Sequence, residues 1–121
     1  IWGYIALKED INTVFGAVFA HKSETPGLGA EINQSFFQEP FRDKLIFNEN
    51  NEFVSITVKK GGATEGSMHE VDGISGGTIT SDGVTDMIKE RVGRYIPYLE
   101  QNKAVENDSI IITNLISQVN G

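Results

Sequence analysis

The segment that decides the fold is a long amphipathic stretch over residues 82–100, which reads DGVTDMIKERVGRYIPYLE. Its apolar residues recur at intervals of three or four, which predicts a helix with one buried face. This apolar stripe consists of Val84, Met87, Ile88, Val92, Tyr95, Ile96 and Leu99. Thr80 or Ser81 is the expected N-cap, and Asp82 lies favourably at the positive end of the helix dipole. Pro97 predicts a kink or an early end of the helix.

Two apolar segments at the start of the chain predict an antiparallel β hairpin. Residues 1–7 are mostly apolar or aromatic, as in a strand that is buried on both faces. Residues 13–20 predict the second strand, and residues 9–12 supply the turn between them. Gly16 lies inside the second strand, where glycine is typical of a bulge or of a close approach by another backbone.

Between the hairpin and the long helix, the sequence predicts short elements. Residues 30–38 predict a short helix that stops before Pro40. Residues 44–47 and 53–59 predict a second β pair, joined by a turn over residues 48–52. The predicted fold class is therefore a single α+β domain, with antiparallel sheets packed against the long helix in the C-terminal half and against a shorter helix.

Composition excludes several classes of function. The chain has 121 residues, 39% of them hydrophobic, which fits one globular domain. Its net charge of −7 argues against a surface for nucleic acid or anionic lipid. The absence of cysteine excludes disulfides, thiolate nucleophiles and cysteine zinc sites. No apolar run approaches the roughly 18 residues that span a bilayer. Because the chain opens on Ile1 without an initiator Met, we expect it to be a trimmed or processed part of a longer protein, which leaves a membrane anchor upstream as an open alternative.

The residue pattern indicates no catalytic or metal site. His21 and His69 are far apart, and neither lies at a spacing typical of metal ligands. The acidic residues are scattered, and no nucleophile elbow, Walker A loop or Rossmann fingerprint is present. We therefore expect structural or solvent-exposed roles for both histidines.

The most informative segment for function is residues 72–81, DGISGGTITS, directly before the long helix. Its glycines let a ligand approach the backbone, and the positive end of the helix dipole favours an anion. The alternative is a flexible loop followed by an N-cap, and composition alone does not separate these two interpretations.

Residues 72–78 resemble the flavinylation motif Asp-x-x-Ser/Thr-Gly-Ala-Thr of the FMN-binding domain family, whose members carry covalent flavin. The Glu-Thr-Pro-Gly-Leu-Gly stretch at residues 24–29 resembles a second hallmark of that family. So do the Gly-Gly-Ala that follows Lys60 and the run from His69 into the motif. The departure is Gly77, where the family usually has Ala; removing one methyl group keeps the site small, so we expect flavinylation to survive, with a more flexible loop.

The resemblance implies that a flavin transferase takes FMN from FAD and joins its phosphate to Thr78. Asp72 belongs to the motif that the transferase reads, while Thr25 and Leu28 are implied contacts of the flavin ring. The cofactor-binding residues implied in this way are Thr78, Asp72, Ser75, Gly76, Gly77, Thr80, Glu24, Thr25 and Leu28, with Ser75, Gly76, Gly77 and Thr80 as donors to the phosphodiester. Lys59 is a candidate for balancing the phosphate charge, although a solvated strand end fits it equally well.

The resemblance also implies a function and a location. It implies an electron-transfer subunit of a sodium-pumping NADH:quinone oxidoreductase of the cytoplasmic membrane, with this domain on the extracytoplasmic side. Two alternatives are a subunit of the Rnf ferredoxin:NAD⁺ oxidoreductase complex, which carries the same anchor, and a non-redox extracytoplasmic binding module. Residues 1–103 are expected to form the FMN-binding domain, and residues 104–121 a tail in which Ile110 to Ile112 suits a strand or a buried helix.

A flavin site of this kind makes a prediction about the fold. Residues 24–29 and 75–80 must be neighbours, although about 50 residues separate them, and they must border an open cleft lined by Leu28. We expect little basic charge there beyond Lys59 or Lys60. Gly27 and Gly29 flank Leu28 and are expected to let the backbone approach a flat ring.

Overall fold

The computed structural model describes residues 1–102 and 111–116, and it confirms an α+β fold. A three-stranded antiparallel sheet has the order β2-β1-β5, and β3 and β4 form a separate parallel pair. The elements are β1 (Trp2–Leu7), β2 (Val14–Ala20), α1 (Ser35–Gln38), β3 (Thr57–Lys59), β4 (Glu70–Asp72), α2 (Thr78–Asn102) and β5 (Ile111–Ile116). Two 3-10 turns, Gly29–Asn33 and Glu39–Phe41, lie on either side of α1.

The predicted hairpin is confirmed, and so is the bulge at Gly16. The register between β1 and β2 shifts between Ala6 and Leu7, so that Phe15 is an extra residue beside Gly16. Open space surrounds the position of a Cβ on Gly16, which leaves the bulge, and not a close approach, as the reason for glycine. Burial of β1 on both faces was wrong, because Trp2 and Tyr4 are 39% and 45% exposed. Only the alternate residues of β1 face the core.

The predicted helix over residues 30–38 is instead a broken path of two 3-10 turns around one turn of α-helix. Gln34 interrupts it with an extended backbone, and Pro40 lies inside the second 3-10 turn instead of beyond the helix. Aromatic packing holds this path in place, because Phe19 of β2 has its ring centroid 5.8 Å from that of Phe37 and 5.1 Å from that of Phe41. The path therefore fixes the chain just after residues 24–29.

The predicted second β pair was wrong. Phe47 and Phe53 form a single bridge, because the backbone has positive φ at Asn51 and Ser55 (both 61°) and so departs from extended geometry. The amides of Val54 and Ser55 both donate to the carbonyl of Ile46. The strand predicted over residues 53–59 is shortened to β3, which pairs in parallel with β4.

Helix α2 is longer at both ends than the sequence predicts. It begins at Thr78, because the Gly77 carbonyl accepts the first helical hydrogen bond, from the Ser81 amide at 2.9 Å. Neither Thr80 nor Ser81 is thus the N-cap. Pro97 does not end the helix, which continues to Asn102. Leu99, beyond the proline, is buried in the core, and its burial stabilises this last part of the helix. Among the helices of the described residues, none is long and apolar enough to cross a membrane.

The apolar stripe of α2 packs into the main core, as predicted. Five of its residues are at most 2% exposed, namely Val84, Met87, Ile88, Val92 and Leu99. Ile96 is partly buried against this core, and Tyr95 is 44% exposed. In the predicted tail, Ile111 and Ile112 belong to β5, which pairs antiparallel with β1, so these residues form a strand and not a buried helix. Residues 104–110 and 117–121 lie outside the described residues.

Candidate functional site

Thr78 lies in the first turn of α2. The sequence predicts a loop at this position, so that expectation was wrong. Thr78 is partly buried. The amides at the start of a helix have no carbonyl four residues earlier to bond within the helix, so they and the dipole favour an anion there. The start of α2 therefore offers donors and a hydroxyl at one point.

A tight turn brings the chain from β4 into α2. The Gly77 amide donates to the Ile74 carbonyl at 2.9 Å, and Gly76 has a φ of +75°, as the third residue of a type II turn requires. The Ser81 hydroxyl accepts from the Ile74 amide at 3.2 Å and ties this turn to the helix. Residues 74–77 are thus held by hydrogen bonds at both ends.

The turn over residues 25–28 is also of type II, as Pro26-Gly27 predicts. The Leu28 amide donates to the Thr25 carbonyl at 3.0 Å, and Gly27 has a φ of +77°. This turn lies against the start of α2, because the Thr80 hydroxyl donates a short hydrogen bond to the Glu24 carboxylate. The expected proximity of residues 24–29 and 75–80 is confirmed.

Close packing, and not access for a flat ring, explains Gly29. A Cβ on Gly29 would overlap Oγ1 of Thr80 and lie only 3.0 Å from its Cβ, so no rotation of the Thr80 side chain would relieve the crowding. Similarly, a Cβ on Gly76 would lie 2.7 Å from Cδ2 of Leu28. The two hallmark segments therefore pack closely at their glycines.

We expect Gly29→Ala to separate the turn from the helix and to lower the free energy of unfolding by about 1–3 kcal/mol, the usual cost of overpacking. Chemical denaturation monitored by circular dichroism measures this cost. Gly16→Ala is the matched control, because its Cβ meets open space, and it is expected to change stability by less than about 0.5 kcal/mol. Equal costs for the two variants would contradict close packing at Gly29.

Two cavities meet at Thr78. The first, which we call the turn cavity, has a volume of about 360 Å³ and is lined by Glu24, Thr25, Leu28, Gly29, Gly76, Gly77, Thr78, Ile79 and Thr80. The second, which we call the Lys60 cavity, has a volume of about 450 Å³ and is lined by Lys60, Gly61, Gly62, Asp72, Gly73, Ile74, Ser75, Gly76 and Thr78. Every residue that the resemblance implies for cofactor binding lines at least one of these cavities.

Of the two lysines expected near the site, Lys60 lines one of these two cavities and Lys59 lines neither. The Lys59 ammonium donates to the Thr64 hydroxyl at 3.0 Å and lies 3.6 Å from the Glu70 carboxylate. It is therefore engaged along β3 and β4. Lys60 is the better placed of the two to balance an anion beside Thr78.

Two carboxylates of β4 hold the glycine-rich loop that borders the Lys60 cavity. Asp72 accepts from the Ala63 amide and Glu70 from the Thr64 amide, each at 2.7 Å. The hydrogen bond from the Thr64 amide, helped by its hydroxyl and by Lys59, holds the pKa of Glu70 below its ordinary value. Asp72 thus has a structural role in addition to the one that the resemblance implies.

Ile79 is a cavity residue that the sequence did not predict. It lines the turn cavity together with Thr78 and Leu28, and it is 75% exposed. Its signal in the sequence is an apolar residue that lies before the buried stripe of α2. Neither histidine lines these two cavities: His69 Nδ1 is 2.7 Å from the Leu45 carbonyl, and His21 Nδ1 accepts from the Glu24 amide at 3.4 Å. Among the described residues, no group of three or more potential metal ligands is present.

Comparisons with known proteins identify relatives that share most of this chain. The C subunit of the Na⁺-translocating NADH-quinone reductase of Haemophilus ducreyi is 42% identical over 106 residues, which cover 86% of this chain and 40% of that protein. The same subunit of Vibrio campbellii is 43% identical over 84 residues, covering 69% of this chain and 32% of that protein. The chain therefore spans less than half the length of these relatives.

Solved structures agree with the sequence matches. The crystal structure of the C subunit of the Na⁺-translocating NADH-quinone reductase from Parabacteroides distasonis superposes with a TM-score of 0.75 at 46% identity, covering 88% of this chain and 51% of that chain. That of Shewanella oneidensis NqrC gives a TM-score of 0.75 at 33% identity, covering 84% and 48%. The family model described as FMN-binding domain matches residues 1–92. This chain belongs to the FMN-binding domain family.

Proposed function

We propose that this domain carries FMN joined by its phosphate to the Thr78 hydroxyl and that it transfers electrons as part of the C subunit of a Na⁺-translocating NADH-quinone reductase. The observation that carries the proposal is the position of Thr78 at the junction of two cavities, of which the turn cavity is lined by residues of both 24–29 and 76–80 and the Lys60 cavity by residues from 60–62 and from 72–78. Electrons would pass from NADH toward quinone, coupled to sodium export.

The residues around Thr78 fit a phosphodiester. The amides at the start of α2 and the helix dipole favour its negative charge, and Lys60 lies in the wall of the adjoining cavity. Ser75 and Gly76 border the same cavity and would offer further donors. On the other side of Thr78, the half-exposed side chain of Leu28 and the exposed side chain of Ile79 suit the apolar faces of a flavin ring.

In this attachment the Thr78 hydroxyl accepts the phosphoryl group of FMN. Thr78 itself takes no part in electron transfer. The bond from Thr78 Oγ1 to the FMN phosphorus forms, the pyrophosphate bond of FAD breaks, AMP leaves, and the hydroxyl proton is released. A separate flavin transferase would carry out this step. FMN, when bound, accepts and gives up electrons reversibly, while the protein holds and orients it.

Partners and location follow from the same proposal. The domain would associate with other subunits of a complex in the cytoplasmic membrane, on its extracytoplasmic side, through an anchor elsewhere in the full protein. The corresponding flavin-carrying subunit of the Rnf complex has both hallmark segments, but the relatives of this chain carry the name of the quinone reductase. We therefore favour the sodium-translocating quinone reductase.

Co-expression with a flavin transferase tests the proposal. We expect yellow protein whose fluorescence survives a denaturing gel and whose mass is raised by one FMN phosphoester. The same chain made without the transferase is expected to fold as a colourless monomer, since its core is complete without a ligand. A folded protein that stays colourless with an active transferase would instead support the non-redox binding module.

A further inference from the structure

We infer that Glu24 and Thr80 form a positioning pair, which fixes the turn that carries Leu28 against the start of α2 and thereby sets the width of the turn cavity. The Thr80 hydroxyl donates to the Glu24 carboxylate across 56 positions of sequence. Thr80 is 7% exposed and Glu24 is half-buried, so this hydrogen bond is partly shielded from solvent. A hydrogen bond to a carboxylate is stronger than one between neutral groups.

The hydrogen bond connects two segments whose backbone hydrogen bonds are local. On one side, the amides of Leu28 and Ala30 both donate to the Thr25 carbonyl. On the other side, the Gly77 amide donates to Ile74 and its carbonyl accepts from Ser81. Contact of Gly29 with Thr80 brings the two segments together, but apolar contact alone has little directionality. The Glu24–Thr80 hydrogen bond fixes the orientation of the turn relative to the start of α2.

The two threonines of the Thr78-Ile79-Thr80 sequence therefore have different roles. Two residues along a helix correspond to a rotation of about 200°, so their side chains leave the helix on nearly opposite sides. The Thr80 side chain meets Gly29 and Glu24, whereas Thr78 lies between the cavities. Because its proton goes to Glu24, the Thr80 hydroxyl has a partner other than the phosphodiester that the resemblance implied.

The pair also places a carboxylate in the wall of the turn cavity. A fixed negative charge beside a flavin disfavours the gain of electrons, so Glu24 would lower the midpoint potential. This second part rests on the proposed function, whereas the positioning role does not. Two substitutions separate them: Glu24→Gln removes the charge but keeps an acceptor oxygen, and Thr80→Val removes the donor but keeps the charge.

The positioning role is tested in the full chain made without the transferase, by amide hydrogen exchange at Leu28 and Ala30. We expect Thr80→Val to accelerate exchange there about tenfold or more, as for loss of a hydrogen bond to a charged group. The amides of Leu28 and Ala30 should exchange more slowly in Thr80→Ser and in Glu24→Gln than in Thr80→Val, because these two variants keep a hydroxyl donor and an acceptor oxygen. Thr85→Val is the matched control, since Thr85 lies on the same helix and accepts a hydrogen bond from the Val58 amide. Exchange at Leu28 in Thr80→Val no faster than in this control would overturn the inference.

The effect of charge is tested in the flavin-carrying protein by spectroelectrochemical titration. Glu24→Gln should raise the midpoint potential, and Thr80→Ser should leave it near the wild-type value. An unchanged potential in Glu24→Gln would overturn the role of the charge. Failure of the wild-type chain to take up flavin would overturn the proposed function, while the exchange result on the flavin-free chain would still decide the positioning role.

Discussion

Replacing Thr78 with Ala is expected to abolish covalent flavin completely, while the free energy of unfolding changes by less than about 1 kcal/mol. The hydroxyl is the proposed phosphate acceptor, and Ala is favourable inside a helix. Thr78 is also outside the buried core cluster, so its truncation leaves no large cavity. In-gel flavin fluorescence after co-expression with the transferase, together with chemical denaturation of the flavin-free chain, measures both effects.

Matched variants locate the attachment. Thr80→Ser and Thr80→Ala both retain Thr78, and each is expected to yield covalently modified protein. Ser75→Ala removes a neighbouring hydroxyl and leaves the acceptor, so any FMN that this variant carries should map to Thr78. Peptide mapping that finds FMN on Thr80 or Ser75 would show that the motif has been aligned in the wrong register.

Ile88→Ala is expected to lower the free energy of unfolding of the flavin-free chain by about 2–5 kcal/mol. Ile88 is fully buried in the middle of the α2 stripe, so truncation removes apolar contacts and leaves a cavity. Urea denaturation measures the loss, with the slope of the transition as a check that unfolding remains two-state.

Ile79→Ala is the matched control for Ile88→Ala. It is the same substitution on the same helix, at a side chain that is 75% exposed, and it should cost less than about 0.5 kcal/mol. A cost below about 1 kcal/mol for Ile88→Ala would mean that the stripe of α2 is not the core-forming face of the domain.

Local patterns predicted the parts of the fold that depend on local interactions. The spacing of apolar residues identified α2 and its buried face, and Gly16 marked the bulge in β2. The second β pair failed because Ser55 has positive φ, which its residue type does not signal. The start of α2 was placed too late because Gly77, a residue with no capping side chain, occupies the position before the helix.

The sequence named candidate site residues but not the contacts between them. The resemblance implied Glu24 and Thr80 separately, yet nothing in their local sequence indicates that one donates to the other. The distinction between Lys59 and Lys60 likewise depends on a neighbouring strand, because Glu70 of β4 lies beside Lys59. Contacts between distant segments require the tertiary structure, and these contacts give each residue its role.

The position of Thr78 between two cavities affects the affinity that the pocket would need for a flavin attached to Thr78. A ligand tethered by a covalent bond within reach of its pocket experiences an effective concentration of about millimolar, so a pocket of modest affinity stays filled. The walls of the turn cavity can then remain partly open, as Leu28 and Ile79 are here, at 40% and 75% exposed. In the proposed attachment, retention of the cofactor would be separated from its enclosure, and an attached flavin would present an edge to a redox partner without escaping from the protein.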